Sequence, residues 1–352
     1  MARVTGQAQV AIVAGMHTPD WIMPLAHGLY LPSIDTWIDP GRPVDRAIIT
    51  HGHADHARAG HGKVLATAQT LAIMHQRFGP QAAGTSGGQA LPYGERLALG
   101  DGLSCMLLPA GHVLGSAQVV LEKAGTRIIV SGDYKRRADP TCTPFEPLKC
   151  DIFITEATFG LPVFRHPDTA SEVRKLLATL AANPDRCVAV GAYALGKAQR
   201  VIAELRRAGH DAPIFLHGAM VALCDLYQAH RVDLGDLRPV GALKGDALKS
   251  SIVIAPPSAL HDRWSRRLPD PVTAMASGWM RVRQRAVQRG VELPLIISDH
   301  ADWDELTATI TELDPAEVWV THGREEALVH WCGLHQRRAR ALALVGREDE
   351  GD

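Results

Sequence analysis

With 352 residues, 46% of them hydrophobic and 21% charged, the chain has the composition of a soluble globular protein of one large domain or two ordinary ones, which excludes a disordered chain. A formal net charge of −1 excludes a globally basic nucleic-acid binder, and no apolar run approaches the roughly 18 residues of a membrane span. The six cysteines lack C-x-x-C spacing, which argues against a disulfide framework or a thiolate zinc site and fits a reducing cytoplasm.

In chain order, the run Val10-Ala11-Ile12-Val13-Ala14 is too short, and too weakly charged in front, for a signal peptide. Up to about residue 155 the chain reads as short β-rich segments, among them Gly28–Leu31, Thr36–Ile38, 47–50, 64–66, 119–122 and 127–131, with a helix over 68–76. The rhythm then changes. Thr169-x-x-Glu172 is a capping-box pattern, and Val173, Leu176, Leu177 and Leu180 follow at helical spacing. A strand over 187–190, a helix ending near Gly209, a strand over Ile214–Leu216, a helix over 219–230 and a strand over 251–255 predict a parallel α/β unit. The tail alternates again: strand 295–298, helix Trp303–Leu313, strand 318–321, long helix 325–343. Boundaries fall near 157 and 292.

The chemistry starts at the end of the 47–50 strand, where His51, His53, Asp55 and His56 crowd six positions. On extended chain, residues i and i+2 point the same way, so His51 and His53 can grip one ion. Asp55 and His56 lie past the strand end and can reach a second ion nearby. A dinuclear site needs more ligands. His112, between small residues in Ala110-Gly111-His112, and Asp133, just past a buried strand beside Gly132, are candidates; Asp133 can bridge two cations. His61, His75, His210, His217, His261 and His335 are read as structural.

The order H-x-H-x-D-H, A-G-H-x-x-G-S, S-G-D resembles the metallo-β-lactamase fold, and most of all its β-CASP nuclease branch. Asp39, in Trp37-Ile38-Asp39-Pro40, matches the early aspartate that orients the metal loop in that family, with Asp35 as a rival. Glu156, His300 (in Ile297-Ser298-Asp299-His300) and His322 match the three motifs that mark the branch. The resemblance implies an αββα sandwich with an inserted α/β cap: residues 1–156, a cap at 157–292, and a return at 293–352. It implies that His51, His53, His112 and Asp133 hold one divalent ion and that Asp55, His56, Asp133 and His322 hold the other. Zinc suits the nitrogen and oxygen donors, with manganese as the alternative. His300 is then a general acid held by Glu156. The size and Gly278-Trp279-Met280-Arg281-Val282-Arg283 look most like bacterial ligase-associated DNA exonucleases. This implies a DNA-repair exonuclease, 5′-to-3′, functionally linked to a ligase and a helicase. An RNA-processing ribonuclease and a small-molecule hydrolase of the same fold remain open. A flavodiiron enzyme would want a glutamate where His53 stands.

Two further segments could hold phosphate. Residues 191–197 fit G-x-x-x-x-G-K, but Ala198 stands where a nucleotide-binding loop needs a hydroxyl, so Lys197 is read as a contact to a DNA phosphate instead. From 263 to 289 there are seven arginines and one acid. Arg281, Arg285 and Arg289 would share a helical face, with Arg283 close by and Trp279 in position to stack a base. Lys135, Arg136 and Arg137, just past Asp133, complete the basic candidates.

Overall fold

The computed structural model describes residues 19–84, 88–342 and 344. The apolar run from Val10 to Ala14 and residue 343 lie outside them. The first sheet takes β1 (Met23–Leu25), β2 (Gly28–Leu31), β3 (Thr36–Ile38), β4 (Arg46–Ile48), β5 (Lys63–Ala66) and β6 (Gln89–Ala90) in sequential order, and helix α1 (Ala68–Phe78) follows β5. The second sheet begins as an antiparallel meander of β7 (Arg96–Gly100), β8 (Leu103–Pro109), β9 (Ala117–Lys123) and β10 (Thr126–Val130). Beyond β10 it turns parallel, through β11 (Ile152–Ala157), to two strands from the far end of the chain.

Period-2 alternation explains why the two sheets stack. In β10 and β11, Ile128, Val130, Ile152 and Ile154 face inward and meet Leu29, Ile38, Ile48 and Leu65 of the first sheet. Ile129 and Phe153 face outward and are covered by later helices. On the opposite side, Ala47, Ile49 and Val64 face Leu71 and Met74 of α1. The result is an αββα sandwich.

After β11 the chain builds a third sheet from α2 (Thr169–Ala182), β12 (Val188–Gly191), α3 (Lys197–Arg207), β13 (Ile214–Leu216), α4 (Gly218–Ala229), β14 (Leu237–Pro239), β15 (Ile252–Ala255), β16 (Val272–Ala276), α5 (Arg283–Gln288) and β17 (Leu293–Leu295). Its order is β14-β13-β15-β12-β16-β17, every pair parallel. Strands β12 and β15 are buried along their whole length, as a parallel sheet covered on both faces requires. Helices α2, α3 and α4 cover one face, and short turns around Leu260 and Leu268 cover the other. The chain then returns through α6 (Trp303–Leu313), β18 (Glu317–Gly323), α7 (Glu325–Leu334) and β19 (Arg338–Ala341). Strand β18 pairs in parallel with β11, so the entire third sheet lies within one crossover of the second.

Three local expectations need correction. The long helix over 325–343 is not formed: α7 stops at Leu334, Gln336 turns through a left-handed φ of 57°, and β19 pairs with the edge of β18. Helix composition in Arg338-Ala339-Arg340-Ala341 yields to an open strand edge. The N-cap of α2 is Asp168 rather than Thr169, and Glu172 instead accepts the Ile296 N–H at 2.9 Å, tying α2 to the chain beyond β17. Strand β17 hydrogen-bonds to β16, so the crossing back to the sandwich comes after Leu295.

The sheets place their carboxyl ends together. Loops after β4, β10 and β11 and the end of β18 in the sandwich, and segments after β12, β16 and β17 of the third sheet, meet at one crevice, the usual ligand position in open α/β sheets.

Candidate metal centre and active site

At the end of β3, Asp39 sits at a left-handed φ of 45°. Its carboxylate accepts from the Thr50 N–H at 2.8 Å, from the Thr50 hydroxyl at 2.7 Å and from His56 Nδ1 at 2.7 Å. One buried carboxylate thus sets both the start of the histidine loop and the ring of its last histidine. Asp35, the rival, is exposed and accepts from the Tyr30 hydroxyl at 2.9 Å. Gly132 needs its lack of a side chain: its φ is +55°, and a Cβ there would lie 2.8 Å from that of Thr50. This close approach brings Asp133 over the loop.

All seven candidate ligands converge, in two groups: His51, His53, His112 and Asp133, then Asp55, His56 and His322. Asp133 Oδ2 joins the groups, lying 3.4 Å from His51 Nε2, 3.4 Å from His56 Nε2 and 3.8 Å from His112 Nε2. Within the first group, His53 Nδ1 is 3.1 Å from His51 Nε2 and 3.0 Å from His112 Nε2. In the second, Asp55 Oδ2 is 3.3 Å from His56 Nε2 and 3.4 Å from His322 Nε2. A tetrahedral zinc ion with ligand bonds of about 2.0–2.1 Å separates its donors by about 3.3 Å. These spacings are compatible with donors arranged around metal ions.

The far side of each ring fits as well. His51 Nδ1 meets the Thr50 hydroxyl at 3.1 Å, His53 Nε2 the Leu195 carbonyl at 3.2 Å, and His112 Nδ1 the Asp299 carbonyl at 2.9 Å. Such partners fix tautomer and orientation, leaving the inner nitrogen as a lone-pair donor. Meanwhile His56 Nε2, His322 Nε2 and Asp133 Oδ1 are buried without a hydrogen-bond partner. Buried orphans of this kind are costly unless something binds them.

Electrostatics agree. Burial, together with neighbouring His56, holds His51 well below the usual histidine range, and burial with His300 holds His112 down at about 3; both are neutral, as ligands must be. Burial opposes charge on His56 too, but Asp133, Asp55 and Asp39 together hold its proton well above the usual range. Asp133 and Asp55, on the Nε2 side of the ring, would hold a divalent cation, with Asp39 behind it on Nδ1. Asp55 and Asp133 stay ionised despite burial, because their histidine neighbours keep both below the carboxylate range.

Beside this cluster, His300 Nδ1 lies 3.0 Å from Glu156 Oε2, and the other Glu156 oxygen accepts the Tyr134 N–H at 2.7 Å. Burial would lower His300, but Glu156, with Asp133 and Asp299 behind it, pushes it up to about 10. His300 remains partly exposed, on a crevice walled by Asp55 and Asp133 of the sandwich and by Tyr193, Lys197 and Trp279 of the third-sheet unit.

The basic candidates fare differently. Lys135 is buried, and its ammonium donates to Glu305 at 2.6 Å and to the His300 carbonyl at 2.9 Å, so it cannot hold a phosphate. Arg136 and Arg137 turn the same way, pairing with Glu312 and Asp302 at 2.6 Å. The run after Asp133 packs against α6, whose N-cap Asp302, Glu305 and Glu312 take up its charge. Arg281 and Arg283 are exposed but do not line the crevice. The shared helical face is absent, since Arg281 ends a 3-10 turn and α5 starts only at Arg283. Arg285 instead stacks 4.1 Å over the Trp279 ring. Lys197 does line the crevice, but it is buried and its ammonium is ion-paired with Asp299.

Sequence reasoning overlooked Thr158, Asp299 and the Leu195 carbonyl. Thr158, two residues beyond Glu156, lines the crevice with an unpartnered hydroxyl. Asp299, adjacent to His300, was visible as a charge after an apolar strand. The carbonyl has no sequence signal. One consequence is testable here: Asp39→Asn should weaken metal binding at the Asp55/His56/His322 group by about 10–100-fold, measured by chelator competition, with the fold retained.

Comparison with known proteins agrees with this geometry. Over 325 residues the chain is 29% identical to a probable DNA ligase of Opitutus terrae, covering 89% of this chain and 31% of that protein. It is 32% identical over 209 residues to a ribonuclease of Thermus thermophilus, covering 52% of this chain and 48% of that protein. It is 24% identical over 270 residues to cleavage and polyadenylation specificity factor 73 of Drosophila melanogaster, covering 62% and 39%. The chain thus spans less than half the length of each of these relatives. A solved protein of unknown function from Enterococcus faecalis shares the fold, with a TM-score of 0.54 and 14% identity over 80% of this chain and 76% of that one. A sequence model of the metallo-beta-lactamase superfamily matches residues 14–191, just over half of the chain. The chain belongs to the metallo-beta-lactamase superfamily.

Proposed function

We propose that the chain is a two-metal nuclease of the β-CASP branch that acts on DNA as a 5′-to-3′ exonuclease, with residues 157–292 forming most of its cap. The observation that carries the reading is the placement on one crevice of Asp133, whose carboxylate lies close to a histidine of each group, and of His300, with Nδ1 3.0 Å from Glu156. When bound, two divalent ions supply Lewis acidity toward a phosphate and an acidified water. His51, His53, His112 and Asp133 would hold one, and Asp55, His56, His322 and Asp133 the other; five imidazoles with carboxylates suit zinc, with manganese as the alternative.

Hydrolysis of a phosphodiester expels a sugar oxygen, which needs a proton. His300 would supply one, with Nδ1 fixed on Glu156 and the ring lining the crevice. Glu156 cannot swing, because the Tyr134 N–H holds its other oxygen. A hydrolase of small activated esters has no need for this acid or for the cap wall of Tyr193 and Trp279.

The ligase-named relative, most of which lies beyond the region similar to this chain, supports DNA as substrate and a functional link to a ligase. The Thermus ribonuclease supports RNA as the second reading. Among the described residues no helix is long and apolar enough to cross a membrane. The six unpaired cysteines support a reducing cytoplasm as its compartment.

End-labelled single-stranded DNA and RNA, incubated with the protein and zinc or manganese, test this reading. DNA should shorten stepwise from its 5′ end. Cleavage of RNA alone would overturn the choice of DNA, and two intact substrates would overturn the nuclease itself.

A further inference from the structure

The turn over 191–197, whose glycines and lysine resemble a phosphate loop, does something else in this fold. Three consecutive residues of it touch the frame of one metal group. The Leu195 carbonyl accepts from His53 Nε2 at 3.2 Å. A carbonyl can only accept, so Nε2 carries the hydrogen and His53 must face the cluster through Nδ1. Gly196 has φ +85°, and a Cβ there would lie 2.4 Å from Val113 Cγ1, next to His112. Lys197 pairs with Asp299, whose own carbonyl accepts from His112 Nδ1 at 2.9 Å. Both Lys197 and Asp299 are buried. By contrast, the other group is supported from the sandwich: His56 Nδ1 rests on Asp39 at 2.7 Å and lies 3.5 Å from the Thr50 hydroxyl.

We propose that the 195–197 turn of the cap is a positioning element for one metal site: the Leu195 carbonyl and the Lys197–Asp299 pair set the affinity of the His51/His53/His112 group and leave the Asp55/His56/His322 group unaffected. The proposal rests on the two-ion reading above. It makes seating of the cap and loading of that site reciprocal, since whatever lifts the turn frees the His53 ring and unpairs Asp299 behind His112, and an ion on those rings favours the seated turn. Lys197 is then a positioning residue that acts through Asp299.

The test uses the full-length protein in zinc buffered by a chelator at stepped free concentrations, with bound zinc per chain read by mass spectrometry. Wild type should fill in two steps. Lys197→Ala should weaken one step by about 10–100-fold and leave the other in place, the range for lost outer partners of a ligand. Lys197→Arg, which keeps the pair, should restore it. Gly196→Ala leaves no buried charge unpaired and should cause the same selective loss, which covers the case where Lys197→Ala fails to fold. In a His322→Ala background, one ion should remain, and adding Gly196→Ala should weaken that ion. Two unchanged steps in the Gly196 and Lys197 variants, or equal weakening of both, would overturn the proposal. A wild type that never binds two ions would overturn the two-ion reading instead.

Discussion

Replacing Asp133 with alanine should abolish phosphodiester cleavage and strip the protein of bound metal at both positions. Its Oδ2 lies 3.4 Å from a histidine of each group, His51 and His56. On the proposed two-ion reading, removing it takes one ligand from each ion and one negative charge from the pocket between them. An outer-sphere partner commands about 10–100-fold in affinity or activity; a ligand shared by two ions should command ~10³-fold or more. The fold should survive, because His56 keeps Asp39 at 2.7 Å and Asp55 at 3.3 Å. Asp133→Asn preserves shape without charge and should lose cleavage as well. Metal content by mass spectrometry, with circular dichroism as the folding control, checks both variants. Full activity in either would remove the shared-ligand role.

His300→Ala should behave differently. Cleavage should fall by about 10²–10⁴-fold, the range for a lost general acid, while both ions stay bound. The competing role is that of a ligand, since His300 also lies within reach of a group with His112 and Asp299. The Glu156 contact at 3.0 Å fixes Nδ1 in either role, and the acid is favoured because the ring stays partly exposed on the crevice. Two measurements separate the roles. Metal content should match wild type. Hydrolysis of a p-nitrophenyl phosphodiester, whose leaving oxygen needs no proton, should fall far less than hydrolysis of DNA. Loss of metal together with equal losses on both substrates would make His300 a ligand.

Much of the convergence of this candidate site was legible because its candidate ligands are local in sequence or follow strands. Four donors in six positions after Ala47-Ile48-Ile49 pointed to metal, and Gly132 before Asp133 pointed to a close approach. Strand alternation in β10 and β11 likewise set which face is core. The misreadings share one cause, long-range partners. Lys135, Arg136 and Arg137 look like a phosphate patch until α6, far along the chain, presents Glu305 and Asp302. Lys197 looks like a phosphate contact until Asp299 lies beside it. Residues 338–341 look helical until the edge of β18 offers a ladder. Charge and propensity are read locally, whereas their compensation is tertiary. The Leu195 carbonyl is the extreme case, because a backbone group is the same at every position.

Diffraction from crystals grown with zinc, recorded at the zinc absorption edge, tests the central claim most directly. Two anomalous peaks should lie about 3.5–4 Å apart, on either side of the Asp133 carboxylate, the spacing typical of two-metal hydrolases. A lone peak, or none among these seven side chains, would contradict it.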